Sequence, residues 1–540
     1  MIRIFTQENK TIVSAATIVA ALSLLSRVAG FIRDRILAGT FGAGDVLDAY
    51  YTAFLVPDFL FNLLVVGAIS ASFVPLFSKY LGRNKNLERA WHLTNSVLNM
   101  LGLFFLVIAT ILFIFAEPIS GMIAPGFGAL KVEMTANMMR VMFFGSFLLA
   151  LSVVFGSVLQ AMKQFLLFSL SPILYNIGII FGALFFVPSL GPIGLAWGVV
   201  LGAALHLLSQ LVGVLSQGYR YRWIWTPRDG DTQEVGKLMI PRTLGAGVNM
   251  LNAFAMTVIA TTLAAGSVTI YQFAYNIQFF PIGIIAVSFA VASFPSFVEY
   301  ANDHDDRGFV DAFSHTVRQV FFFIIPASIL FLLLRAQIVR VVVGAGAFGW
   351  EETIRTADTL AFFTLSLFAQ GLVYLFARAF YAHKDTVTPL VAGLVAMVTT
   401  VVSALLFSRE FGVIGLAISF SLGSMVNLAL LWAMLRQKLG SLNELEILQS
   451  LFRICTAAVG CAVVIQIVKS FVVQFIVLDT FFAVLSQGLI AGGAGLLVYC
   501  ALAWLLRSSE MIGFVASMRR QLFKAFKPTE AAIAKEHDVV

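Results

Sequence analysis

IVSAATIVAALSLLSRVAGFIRDRILA, residues 12–38, would suit a bilayer but for Arg27, Arg33, Asp34 and Arg35. A charge at membrane depth costs roughly 2.5–3.5 kcal/mol on insertion scales, so ionisable residues in a span line a polar cavity or pair with one another. Guanidinium groups also match phosphate and carboxylate geometry. The segment reads as one wall of a pathway for something anionic.

The rest of the chain fits that reading. Of its 540 residues, 60% are hydrophobic and 12% charged, with a mean hydropathy of +0.93. A soluble domain carries about 25% charged residues, so this is an integral membrane protein of all-α class. Its three cysteines, Cys455, Cys461 and Cys500, lie in late apolar segments and do not form a disulfide framework. No CxxC pair or His/Cys cluster occurs, so no metal site is expected. The net charge of +7 does not imply a nucleic-acid partner, because distribution outweighs sum in a membrane protein. Arg3 and Lys10 before an apolar run resemble a secretory signal, yet the run continues through arginines without a cleavage region. It is read as a retained first span.

Apolar runs of about 20 residues divide the chain into about fourteen spans, among them 12–38, 47–77, 166–188, 192–216, 238–264, 268–298, 451–475 and 481–506. Most of the 35 lysines and arginines fall on one face when the N-terminus is placed in the cytoplasm. That bias puts both termini on the cytoplasmic side of the cytoplasmic (inner) membrane. The chain also echoes itself: ASFVPLFSKY (71–80) returns as ASFPSFVEY (292–300), GPIGLAWG (191–198) as GVIGLAIS (412–419), and SLSPILYN (169–176) more faintly as TVTPLVAG (386–393). Order and offset are kept. The expected organisation is two pseudo-twofold-related six-helix lobes at 1–217 and 238–440, with an interfacial linker at 218–237. Two extra helices (441–507) and a basic cytoplasmic tail (508–540) follow.

Candidate chemistry concentrates in the first span. Arg27 and Asp34 fall on one helical line, with Ser26 and Arg33 on the next, and Arg27 to Arg33 is a rise of about 9 Å. This suits a two-level cationic ladder for a pyrophosphate; the alternative is that Arg33 or Arg35 pairs with Asp34 or Asp48 and fixes the helix boundary. Asp48 either neutralises an arginine in the empty state or caps the second span. Asp58, after Pro57, is a deeper carboxylate, and Asn276 and Gln278 interrupt the eighth span, for cargo or for interhelical bonding. His206 reads as a packing residue. The chain has no Walker loop or nucleophile elbow, and its loops leave no room for a catalytic domain. A transporter without covalent chemistry or cofactor follows, powered by an ion gradient, the membrane potential or the cargo's own gradient.

LLSRVAGFIRD (24–34), FGAGDVLDAYYTAFLVPD (41–58), GAISASFVPLFSKY (67–80), GSVTIYQFAYNIQFFPIGI (266–284) and ARAFYAHKDTVTP (377–389) resemble the MurJ/MviN lipid II flippases, within the multidrug/oligosaccharidyl-lipid/polysaccharide exporter superfamily. The resemblance spans roughly 10–507. It implies alternating-access movement of lipid-linked peptidoglycan precursor to the outer leaflet. Arg27 and Arg33 match cavity arginines, Ser26, Asp34 and Asp48 stand at matching positions, and the last two spans form a groove for a polyprenyl tail. Gly488, Gly492, Gly493 and Gly495 suit a lipid-facing trough. Where the family carries an arginine and a glutamate on the second span, this chain has Phe61 and Val66; Asn276 replaces an eighth-span arginine. The implied partners are a polyprenyl-pyrophosphate-linked glycan and the bilayer, with cell-wall synthesis proteins as candidates and no nucleic acid. The competing readings are a flippase for another polyprenyl-linked glycan, a drug:cation antiporter, and a non-transporting cell-wall scaffold.

Overall fold

The computed structural model describes residues 12–63, 69–81, 86–475, 477 and 480–526. Val66 and the end of the basic tail lie outside the described residues, and the side chains of 238–249 are likewise not described. Among the described residues the chain is helical and contains no strand. The helices are α1 (Ile12–Phe41), α2 (Asp45–Phe61), α3 (Ile69–Leu81), α4 (Leu87–Ile114), α5 (Ala116–Ile123), α6 (Ala129–Ala161), α7 (Phe165–Phe181), α8 (Gly194–Ser216), α9 (Gly230–Thr261) and α10 (Ser267–Pro281). They continue as α11 (Val287–Asn302), α12 (Asp306–Leu333), α13 (Arg335–Val342), α14 (Trp350–Thr364), α15 (Leu367–Ala382), α16 (Val387–Phe411), α17 (Val413–Leu439), α18 (Glu444–Val472), α19 (Phe481–Leu505) and α20 (Ser509–Phe526).

Among the described residues nine helices are long and apolar enough to cross a membrane, or ten when α14 and α15, bent by 46°, count as one span. The number of spans in the chain, expected at about fourteen, is not fixed by this count, which covers the described residues only and leaves out the side chains of 12–17 in α1 and 238–249 in α9. The 52-residue stretch Phe165–Ser216 holds two expected spans folded back on each other.

The fold-back has a packing cause. A Cβ on Gly178 would collide with the backbone of Gly202, and one on Gly182 with Gly198. These four-residue glycine spacings let α7 and α8 touch backbone to backbone, the usual route to tight contact where lipid offers no hydrophobic drive. The turn is made at Gly191, with φ +69°. Its sequence echo behaves alike: Gly412 has φ +57° between α16 and α17. Gly194 and Gly415 both press on the helix before the turn, at Phe186 and Phe407. The first repeat also keeps its form, since Pro75 and Pro295 each sit inside a helix, α3 and α11.

Two compact units emerge. One comprises residues 1–275, 342–359 and 393–423; the other 276–341, 360–392 and 424–540. In the first, α6 packs on α2, α4 and α8. In the second, Phe297, Phe309, Phe313 and Phe376 are fully buried, with ring centroids 5.2 Å apart for Phe297–Phe309 and 4.9 Å for Phe313–Phe376. α18 and α19 pack on one another there: a Cβ on Gly495 would meet Ile465 and Cys461. Gly492 faces Leu330 and Leu334, and Gly488 has Gln337 Cβ at 3.8 Å, so only Gly493 of the four has nothing within 4 Å. The expectation that these glycines face lipid together is therefore corrected: two of them are helix-packing positions.

Candidate functional site

The first compact unit gathers most of the expected site residues. Arg33 is half-buried on α1 and its fork is committed. Nε and Nη2 donate to Asp34 Oδ1 at 3.0 and 2.8 Å, and Nη1 donates to Asn176 Oδ1 at 3.1 Å. Asn176, on α7, donates in turn to the carbonyls of Pro172 (3.0 Å) and Ser26 (3.5 Å). Asp34 itself is 3% exposed. The structural alternative for Arg33 is thus what the molecule shows, with α7 as the added partner. Ser26 contributes its backbone carbonyl rather than its hydroxyl.

Arg27 differs. It is half-buried and, among the described residues, makes neither a hydrogen bond nor an ion pair. A guanidinium kept at membrane depth without a protein anion is costly, and among the described residues Arg27 lacks the counter-charge that Arg33 has. Asp58, on α2 just past Pro57, is exposed, and its carboxylate likewise meets no donor among the described residues. Tyr50 and Tyr51, on α2, stand near Arg33 of α1, their rings 5.3 Å apart. Phe61 lies at the end of α2.

Asp48 overturns both of its expected roles. Its own helix is capped at Gly44, and no arginine among the described residues pairs with it. Instead its buried carboxylate accepts from Gly266 N–H (2.7 Å), Thr269 N–H (3.0 Å), Thr269 Oγ1 (2.8 Å) and Lys131 Nζ (2.9 Å). Asp48 therefore caps the N-terminus of α10, a helix more than two hundred residues away in sequence, and satisfies donors that a helix start leaves free. Lys131 also donates to Asp45 at 2.7 Å.

Around this carboxylate the loops at one end of the unit knit together. Ala347 N–H donates to the Gly39 carbonyl at 2.8 Å. Gly266 (φ +86°) and Gly346 (φ +48°) hold conformations that side chains resist. A Cβ there would strike the carbonyls of Ala43 and Gly39, and one on Gly126 would strike Thr261. Segments 39–48, 124–131, 261–269 and 342–349 thus form a closed plug. Arg33 sits on α1 about 9 Å below the plug's first residue, and Arg27 about 18 Å below it.

Asn276, half-buried on α10, is the first residue of the second unit. Gln278 is fully buried, and among the described residues neither of its amide atoms has a hydrogen-bond partner. His206 Nδ1 is 2.8 Å from Ser152 Oγ, in keeping with a packing role. No group of His, Cys, Asp and Glu able to hold a metal occurs among the described residues. Sequence reasoning missed Asn176, Lys131 and Thr269. Asn176 was legible as the lone amide in the fifth span; the other two act through contacts that sequence spacing does not report.

The family model for lipid II flippase MurJ matches residues 37–486. A probable lipid II flippase MurJ of Vibrio cholerae is 26% identical, covering 78% of this chain and 83% of that relative. One from Buchnera aphidicola subsp. Acyrthosiphon pisum is 28% identical, covering 79% and 84%. A solved structure of the lipid II flippase MurJ in an inward closed conformation superposes with a TM-score of 0.75 at 24% identity, covering 91% of this chain and 98% of that one. An inward-facing multidrug resistance transporter of the MATE family, from the MOP superfamily, gives 0.65 at 15% identity, covering 79% and 99%.

Proposed function

Because the chain belongs to the lipid II flippase MurJ family, we propose that it translocates lipid II, the lipid-linked peptidoglycan precursor, across the cytoplasmic membrane by alternating access. Arg27 carries this reading: it is a guanidinium at membrane depth with no counter-charge among the described residues, on the helix that ends in the plug. The cargo pyrophosphate supplies the missing anion. Arg33, held in place by Asp34 and Asn176, is the second contact.

The Lys/Arg bias assigns the plug to the extracytoplasmic side and both termini to the cytoplasm. The state is then closed outward, and cargo enters from the inner leaflet while its polyprenyl tail stays in lipid beside α18 and α19. Release requires the plug to open, which means breaking the Asp48 cap on α10. The protein forms and breaks no covalent bond of its cargo; the driving force is the membrane potential or a monovalent cation gradient. Cell-wall synthesis proteins are candidate partners.

The test is rescue of cells depleted of their lipid II flippase, with the leaflet accessibility of the precursor as readout. Wild type restores outer-leaflet lipid II; Arg27→Ala, at equal membrane abundance, does not. Rescue by Arg27→Ala removes the anion site. Build-up of a different polyprenyl-linked glycan on deletion of the gene assigns another cargo.

A further inference from the structure

The segment between α8 and α9 has no regular secondary structure of its own, and side chains of α4 hold its backbone in place of a neighbouring strand. Asn95 Nδ2 donates to the Arg220 carbonyl (3.2 Å), and Arg222 N–H donates to Asn95 Oδ1 (3.2 Å). Asn99 Nδ2 donates to the carbonyls of Arg222 (3.3 Å) and Ile224 (3.0 Å), and Ser96 Oγ lies 3.0 Å from Thr226 Oγ1. Tyr219 is buried, its ring centroid 5.4 Å from Trp91 and 5.5 Å from Phe155. The backbone is fixed.

The outward side chains are not used by the fold. Arg220, Arg222, Trp223, Trp225 and Arg228 are exposed, Trp223 at 66% and Trp225 at 46%. None of the three arginines forms an ion pair among the described residues. The acids that follow them are taken: Arg89 Nη2 holds Asp229 at 2.5 Å and Asp231 at 2.8 Å. The ribbon therefore presents three uncompensated cations interleaved with two indoles, on a scaffold that does not bend away.

We propose that this ribbon is a binding site for the headgroups of anionic phospholipids in the leaflet it borders. Indoles settle at the headgroup level because one part of the ring is apolar and the N–H wants water or a lipid oxygen. Guanidinium groups fork onto phosphate oxygens. A zwitterionic headgroup brings its own cation to neutralise that phosphate, whereas an anionic one leaves the charge to the arginines. Juxtamembrane basic residues gain about 1 kcal/mol each from such a surface, roughly fivefold in local binding. The inference needs only that the helices span a bilayer, and it is independent of the cargo.

The experiment uses the full chain in vesicles of phosphatidylcholine with a minority of phosphatidylglycerol, one lipid brominated at a time. The fluorescence of Trp223 and Trp225 is isolated by difference against Trp223→Phe/Trp225→Phe. Brominated phosphatidylglycerol is expected to quench the pair well beyond its share of the lipid. Arg220→Gln, Arg222→Gln and Arg228→Gln should each lower that preference about fivefold, and high salt should erode it in the unmutated chain. Equal quenching by both lipids, a preference that survives the triple glutamine variant, or one indifferent to salt overturns the proposal.

Discussion

Asp48→Asn is the sharpest perturbation available, because this carboxylate carries four hydrogen bonds on two oxygens. The amide keeps one acceptor oxygen and turns the other position into a donor. One oxygen site must then face either Gly266 N–H and Lys131 or the two Thr269 donors with the wrong polarity. The side chain of Asp48 is 2% exposed and that of Lys131 13%, so water cannot readily make good the loss. An N-cap is worth about 0.5–2 kcal/mol, and removing one partner of a buried ion pair costs about 3–5 kcal/mol. Lys131 retains Asp45, which is largely exposed, so a net of about 3 kcal/mol is expected, near the lower figure for a broken buried pair. If the plug is the closed outer gate, that energy weakens the closed state by about two powers of ten relative to the open one, since 1.36 kcal/mol is tenfold. Ser267→Cys, at a buried position in the first turn of α10, reports it in a chain whose native cysteines are replaced. Labelling by a membrane-impermeant maleimide from outside should accelerate markedly when Asp48→Asn is added. An unchanged labelling rate, with the protein still folded, refutes the assignment of Asp48 as a gate cap.

Three further outcomes are expected. Asn176→Leu frees the Arg33 fork and leaves its third donor without a partner; lipid II transport should fall while membrane abundance holds, and an unimpaired rate of flipping would show that α7 does not position Arg33. Gly202→Ala places a methyl against the Tyr175 carbonyl, an overpacking that costs about 1–3 kcal/mol, read as a lower melting temperature in detergent, whereas Gly218→Ala, which meets nothing within 4 Å but has φ +84°, should show only the strain of its backbone. Burial pushes the Asp231 carboxyl up, but hydrogen bonds from Tyr80 and Arg89 outweigh it and hold the group below the usual carboxylate range. A depressed folded value means stabilisation present above the unfolded pKa of about 3.9 and lost as pH falls through the folded one. Trp223 and Trp225 emission should therefore stay constant from neutral pH down to about 4 and shift below it, and Asp231→Asn should abolish that acid step.

The cationic first span was legible from its arginines alone, because a charge in an apolar run has no structural excuse except a partner or a cargo. The all-α class and the repeat were legible for equally local reasons: span length follows bilayer thickness, and an echoed glycine such as Gly191 and Gly412 records an echoed turn. What only the tertiary structure decided was which charges are spoken for. Arg27 and Arg33 look alike in sequence, yet α7 brings Asn176 to one and no described residue to the other. Asp48 looked like a local cap or an arginine's counter-ion, and proved to cap α10 across a plug built from four loops. Hydrogen-bond and ion-pair partners are chosen by proximity in space. Hydropathy and spacing measure only proximity along the chain, so they mark where charge is costly without saying what meets it.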